Sequence, residues 1–134
     1  MAPTKILLAE DDADDQLLFR EFLKHRKDIE LLPIAENGVV LLETLESISN
    51  TANLPHLVIL DQNMPKKNGL GTLQSLKDHH LFQQIPVVIY STYSDEQLIR
   101  DCSAAGASAI FPKPITKEGY DAMIDQCLEL ARRT

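Results

Sequence analysis

The sequence predicts an α/β domain: a single doubly wound, five-stranded parallel sheet in the order 2-1-3-4-5, with five helices shared between its two faces. Two observations carry that prediction. Five short, almost wholly apolar runs, the pattern of strands buried on both faces, alternate with segments whose apolar residues recur at helical spacing. The second of those runs contains Pro33, which belongs on an edge strand, and an outermost second strand gives this order. With 134 residues, no repeat and no linker, the chain suits one domain built on a single sheet.

Lys5-Ile-Leu-Leu-Ala9 is the first strand, and it stops at Glu10-Asp11-Asp12. Asp12 or Asp14 caps the next helix, whose apolar positions Leu17, Leu18, Phe22 and Leu23 run to about Lys27. Ile29 to Ile34 is the second extended run, and Glu36-Asn37-Gly38 turns the chain into a helix marked by Val39, Leu42 and Leu45. Leu57-Val-Ile-Leu60 is the third strand. It runs into Asp61 and then into Gln62-Asn63-Met64-Pro65 and a Lys66-Lys67-Asn68-Gly69 turn. Leu70, Leu73 and Leu76 mark the third helix, and Ile85 to Tyr90 forms the fourth strand, ending at Ser91-Thr92. Ser94 or Asp95 caps a fourth helix that Gly106 closes. Ser108 to Phe111 is the fifth strand, ahead of Pro112-Lys113-Pro114. Thr116 caps a last helix carrying Tyr120, Met123, Ile124, Cys127, Leu128 and Ala131.

Composition excludes several roles. A net charge of −7 disfavours a nucleic-acid footprint, which needs a basic patch. No apolar run approaches the ~18 residues of a membrane span, and no signal-peptide pattern follows Met1, so a cytoplasmic protein is expected. Cys102 and Cys127 lack any CxxC spacing and read as reduced packing residues. His25, His56, His79 and His80 lack the i, i+4 spacing that sets two metal ligands on one helix face, and read as solvated.

An open parallel sheet binds ligands outside the carboxyl ends of its strands. Those ends deliver Glu10 and Asp11, then Asp61, then Ser91 and Thr92, then Lys113. Asp61 alone would be an ordinary strand-end carboxylate. With acids on neighbouring strands 1 and 3 it becomes part of a crowd that an opposite charge relieves, and a hard divalent ion with oxygen ligands, Mg²⁺ above all, fits. Glu10, Asp11 and Asp61 carry three negative charges, and Mg²⁺ with Lys113 supplies three positive ones. Phosphoryl transfer asks mainly for positioning and charge neutralisation, and aspartate is a competent nucleophile for it. Asp12, Asp14 and Asp15 read instead as capping or solvated acids. A nucleotide binder on a flavodoxin-like sheet would need a Gly- or Ser/Thr-rich phosphate cradle after strand 1, where this chain has Glu10 to Asp15.

The motifs Ile-Leu-Leu-Ala-Glu10-Asp11-Asp12, Val-Ile-Leu-Asp61-Gln-Asn63-Met-Pro65 with Gly69-Leu70, Pro86-Val-Val-Ile-Tyr-Ser91, and Ala105-Gly-Ala-Ser with Lys113-Pro114 occur in that order. Together they resemble the receiver domains of two-component response regulators, over Lys5 to about Arg132. The resemblance implies a flavodoxin-like fold and a single receiver domain over residues 1–134 with no output domain. Asp61 would be the phosphoacceptor. Glu10, Asp11 and Asp61 would hold Mg²⁺, with Asn63 lending a backbone carbonyl; Ser91 would be the switch hydroxyl and Lys113 the phosphate-pairing lysine. It further implies a cis Lys113–Pro114 bond, a histidine kinase or phosphotransfer protein as donor, and a downstream partner on the face of helix 4, strand 5 and helix 5, with a homodimer allowed. Activity would be confined to self-catalysed phosphorylation and dephosphorylation. Many receivers carry Tyr or Phe at the second switch position, where this chain has Ile110. Two other classes compete. A haloacid-dehalogenase-type phosphatase wants a second acid two residues after the nucleophile, where Asn63 stands. A degenerate receiver would act as a scaffold independent of phosphorylation.

Overall fold

The apolar runs form strands β1 (Thr4–Ala9), β2 (Ile29–Leu31), β3 (Leu57–Asp61), β4 (Val87–Ser91) and β5 (Ala109–Pro112) in the computed structural model, which describes residues 2–92 and 95–133. All pair in parallel in the predicted order β2-β1-β3-β4-β5. The helices are α1 (Ala13–Leu23), α2 (Gly38–Glu46), α3 (Gly69–Asp78), α4 (Glu96–Ala104) and α5 (Lys117–Arg132). Side chains of Asp12, Asn37, Asn68, Asp95 and Thr116 each accept a backbone N–H in the first turn of their helix, satisfying a donor that would otherwise be orphaned. Gly106 takes φ +103° after α4, as its capping role requires. Ser94, the alternative cap, lies outside the described residues.

The pleat sorts the strand residues into two cores. Ile6, Leu8, Leu57, Ile59, Val88 and Tyr90 pack with Phe19 and Leu23 of α1 and with Tyr120, Met123, Ile124, Cys127 and Leu128 of α5. Leu7, Ala9, Val58, Leu60, Val87 and Ile89 pack with Leu41 and Leu45 of α2, Leu73 and Leu76 of α3 and Cys102 of α4. Both cysteines are free and buried, and burial pushes the Cys127 thiol up to about 12. Among the described residues no helix is long and apolar enough to cross a membrane.

Four local expectations shift. In α1 the buried positions are Phe19 and Leu23, an i, i+4 pair, while Leu17 is 54% exposed. In α2 they are Leu41 and Leu45, and Val39 faces outward. The second strand ends at Leu31 because Pro33 has no N–H to give. Pairing with β1 resumes at Ala35, whose N–H bonds the Leu8 carbonyl at 2.9 Å. No peptide bond among the described residues is cis, so Lys113–Pro114 is trans, the ordinary preference of an X–Pro bond.

The α2 register follows from a tight approach. Gly38 N–H donates to the Lys67 carbonyl at 3.3 Å, and a Cβ on Gly38 would stand 2.8 Å from that oxygen and collide with Thr72 Oγ1. Gly38→Ala is therefore expected to cost about 2 kcal/mol in denaturant unfolding, within the usual range for overpacking. A variant as stable as the parent would mean that the loop after β3 yields freely.

Arg26 ties α1 to β2 and α5: its guanidinium lies 2.7 Å from Asp28 and 2.8 Å from Asp125, and donates to the Asp121 carbonyl at 3.2 Å. Hydrogen bonding to Arg26 lowers the Asp28 pKa, and hydrogen bonding to Lys117, with the charge of Arg26 adding to it, lowers that of Asp121. A depressed carboxylate contributes stability that is present above its unfolded pKa and lost as pH falls through the folded value. Arg26→Ala should thus lower stability by roughly 1–2 kcal/mol at pH 7 and by less below pH 4. Urea unfolding at both pH values checks this; an equal loss at both would remove the ion pairs from the account.

Candidate functional site

The same alternation that builds the α1/α5 core delivers the site. Ile6, Leu8 and Glu10 follow one another on one side of β1, as Leu57, Ile59 and Asp61 do on β3, so both acids end up at the carboxyl rim on the side of α1 and α5. Glu10 is fully buried, Asp61 nearly so, and Asp11 is exposed beside them. One carboxylate oxygen from each of Glu10, Asp11 and Asp61 lies within 4.8 Å of the other two. Asp11 opens on a hollow lined by Glu36, Asn37, Pro65 and Lys66.

Lys113 follows β5 and reaches back over the rim. Its ammonium lies 2.9 Å from Glu10, 2.8 Å from Asp15 and 3.4 Å from Asp61. Burial works against that charge, but hydrogen bonds to Asp15 and Glu10 and the charges of Glu10 and Asp61 outweigh it, so the amine is held above its ordinary pKa. Asp61 moves the other way among the acids. Burial and the Glu10 carboxylate push it up to about 7, against the opposing pull of Lys113 and of the Asn63 N–H, which donates to Asp61 Oδ1 at 3.3 Å. Asp61 is a carboxylate short of positive charge.

Ser91 ends β4 beside Asp61 and is buried; its carbonyl accepts the Lys113 N–H at 3.0 Å. Tyr90 and Phe111 belong to the α1/α5 core, whereas Ile110 is half-buried against the other core. Neither neighbouring ring is on the side of the sheet where Ile110 stands. Asn63 is exposed in the loop after β3. That loop is drawn tight by Gly69, whose N–H bonds the Gln62 carbonyl at 3.1 Å and where a Cβ would come 2.7 Å from the Asp61 carbonyl. Gln62 Oε1 also accepts the Leu70 N–H at 2.9 Å, pinning the start of α3.

Three residues of the site escaped the sequence reading. Asp15, read as a capping or solvated acid, is an ion-pair partner of Lys113 from 98 positions away, a pairing with no local signal. Gln16 donates to the Glu10 carbonyl at 2.6 Å. Tyr90 donates its hydroxyl to Glu10 Oε1 at 2.5 Å; its one signal was strand alternation, which sets it on the side of Asp61. With Asp15 included, four carboxylates face one ammonium, a net charge of −3 before any cation binds. Three clustered carboxylates, two of them buried, form a donor set that suits a hard divalent cation.

Residues 6–125 match the response regulator receiver domain family, and the chain belongs to it. Among curated relatives, "Probable chemotaxis protein CheY" of Rhizobium etli is 28% identical over 90% of this chain and 89% of its own. Response regulator Rcp1 of Synechocystis sp. is 34% identical over 70% of this chain and 65% of its own. This chain spans only 37% of a longer relative, a protein-glutamate methylesterase/protein-glutamine glutaminase of Clostridium acetobutylicum. Of the solved structures, the Mn²⁺-bound form of Rcp1 superposes with a TM-score of 0.77 at 29% identity, covering 92% of this chain and 91% of the other. The phosphorylated cyanobacterial phytochrome response regulator RcpA gives 0.80 at 27% identity, covering 96% and 93%.

Proposed function

We propose that residues 1–134 act as one receiver unit of a phosphorelay: Asp61 accepts a phosphoryl group in a Mg²⁺-dependent reaction, and the charge it gains alters protein contacts. The observation that carries this is the convergence of Glu10, Asp11 and Asp61 within 4.8 Å, with Lys113 reaching the same carboxylates. In the transfer, a carboxylate oxygen of Asp61 forms the O–P bond as the N–P bond of a phosphohistidine donor breaks, and the leaving imidazole regains a proton from solvent. Glu10, Asp11 and Asp61, with the Asn63 carbonyl, would hold a divalent cation, which would supply charge neutralisation for the transfer. Lys113 pairs with the phosphoryl oxygens, and Ser91 moves toward them as the switch hydroxyl. Similarity to a relative described as Mn²⁺-bound and to one described as phosphorylated supports both halves of this reading.

The donor is a histidine kinase or phosphotransfer protein, and the compartment is the cytoplasm. Activity is limited to gain and loss of the chain's own phosphoryl group. The downstream partner docks on the α4–β5–α5 face, where Ile99 of α4 is exposed, and a second copy of the chain is an alternative occupant. Ile110 packs where many receivers carry an aromatic ring, so switching here rests on Ser91 and the backbone of β4 and β5. Incubation with acetyl phosphate should add one phosphoryl mass with Mg²⁺ present and none after chelation. Equal labelling in both would remove the metal from the mechanism, and no labelling would favour a scaffold that works without phosphate.

A further inference from the structure

Glu10 is the deepest of the three clustered acids, and its carboxylate is held from three sides. Oε2 accepts the Asp12 N–H at 3.1 Å; Oε1 accepts the Lys113 ammonium at 2.9 Å and the Tyr90 hydroxyl at 2.5 Å. Tyr90 is itself fully buried. It pairs in register with Asp61 across β3 and β4, and its ring packs edge-on against Phe19 at 6.1 Å while lying 5.1 Å from the Lys113 ammonium. Two strand spacings of ~4.8 Å separate β4 from β1. A phenol spans that gap beneath the end of β3, whereas the Val and Ile side chains elsewhere in β4 are too short.

We infer that Tyr90 is a positioning residue for the cation site: its hydroxyl fixes the Glu10 carboxylate so that the three acids present oxygens at the close, regular spacing that Mg²⁺ demands. This rests on the receiver reading of the acid cluster. Lys113 is shared among Glu10, Asp15 and Asp61 and is the group a phosphoryl oxygen would recruit. The Tyr90 hydroxyl has Glu10 as its partner and its ring is held in the α1/α5 core, so it goes on holding Glu10 when the lysine turns to phosphate. Tyr120, in the same aromatic cluster, is the internal comparison: fully buried, 5.7 Å from Phe19, and with no hydrogen-bond partner for its hydroxyl among the described residues.

Calorimetric titration with Mg²⁺ and separately with Ca²⁺ tests the inference on the parent, Tyr90→Phe and Tyr120→Phe. Loss of a group that orients a ligand typically weakens metal binding by 10–100-fold, and Mg²⁺ tolerates misplaced ligands less well than Ca²⁺ does. Tyr90→Phe should therefore weaken Mg²⁺ about tenfold and Ca²⁺ by less than about threefold, and Tyr120→Phe should change neither. An unaltered Mg²⁺ affinity in Tyr90→Phe would overturn the inference while leaving the receiver reading intact. Equal losses for both ions would make Tyr90 a packing residue. No Mg²⁺ uptake by the parent would overturn the metal reading and the inference with it. A second measurement does not depend on the variant folding: Mg²⁺ should perturb the tyrosine absorption of the parent and of Tyr120→Phe, and a silent tyrosine band would count against a phenol bonded to a ligand.

Discussion

Asp61→Asn is expected to abolish phosphoryl uptake and, in the same protein, to make the metal-free form more stable by about 2 kcal/mol at pH 8. Uptake is lost because an amide oxygen is a poor nucleophile with no charge to give. Stability rises because Asp61 is a buried carboxylate beside buried Glu10, pushed up to about 7. A group whose folded pKa lies above its unfolded value contributes stability that is fully present below the unfolded pKa, near 4, and is lost as pH rises through about 7. In the metal-free parent this carboxylate therefore destabilises the fold most above pH 7, and asparagine removes that cost. Mg²⁺ should narrow the difference by stabilising the parent alone. Urea unfolding at pH 5 and pH 8, with and without Mg²⁺, reads all four cases; an Asp61→Asn variant less stable than the metal-free parent at pH 8 would mean that the acids do not repel.

Lys113→Ala is expected to have the opposite sign, destabilising the metal-free protein by about 3 kcal/mol. The side chain is 8% exposed and its ammonium touches Glu10, Asp15 and Asp61, so its removal leaves buried carboxylates without a cation. Mg²⁺ should restore part of the loss, since it neutralises two of the same three groups. Combined with Asp61→Asn, the loss should shrink well below the sum of the separate effects, because the two residues act on one charge balance. Additivity in that double-variant cycle would place Lys113 outside the network. For signalling, Lys113→Ala should impair the response to phosphorylation more than it impairs Mg²⁺ binding, as expected of a group that meets the phosphoryl oxygens.

What was legible in the sequence was whatever period and position encode. Continuous apolar runs identify the strands, Pro33 puts the second at an edge, and the strand ends alone gather Glu10, Asp11, Asp61, Ser91 and Lys113. Contacts between distant segments were not legible. Nothing near Asp15 announces Lys113, and nothing in a Val/Ile strand announces that the hydroxyl of Tyr90 will cross two strand spacings to Glu10. Helix faces were partly misassigned for a related reason. Leu17 and Val39 fit a helical period as well as Phe19 and Leu41 do, and only packing against the sheet, with Gly38 pressed onto Lys67, selects between the stripes. The added ion pair at Asp15 alters the charge arithmetic: a site that looked balanced by one Mg²⁺ and one lysine retains a net negative charge. That favours cation capture and works against an incoming phosphoryl donor until the cation is in place.

The central claim, that Asp61 is the phosphoryl acceptor, is tested most directly by trapping the adduct. After acetyl phosphate and Mg²⁺, borohydride reduces an aspartyl phosphate to homoserine, and peptide sequencing locates it. Homoserine at position 61 alone is the predicted result. Homoserine at position 11, or a stable phosphate on serine or histidine with Asp61 unchanged, would contradict it.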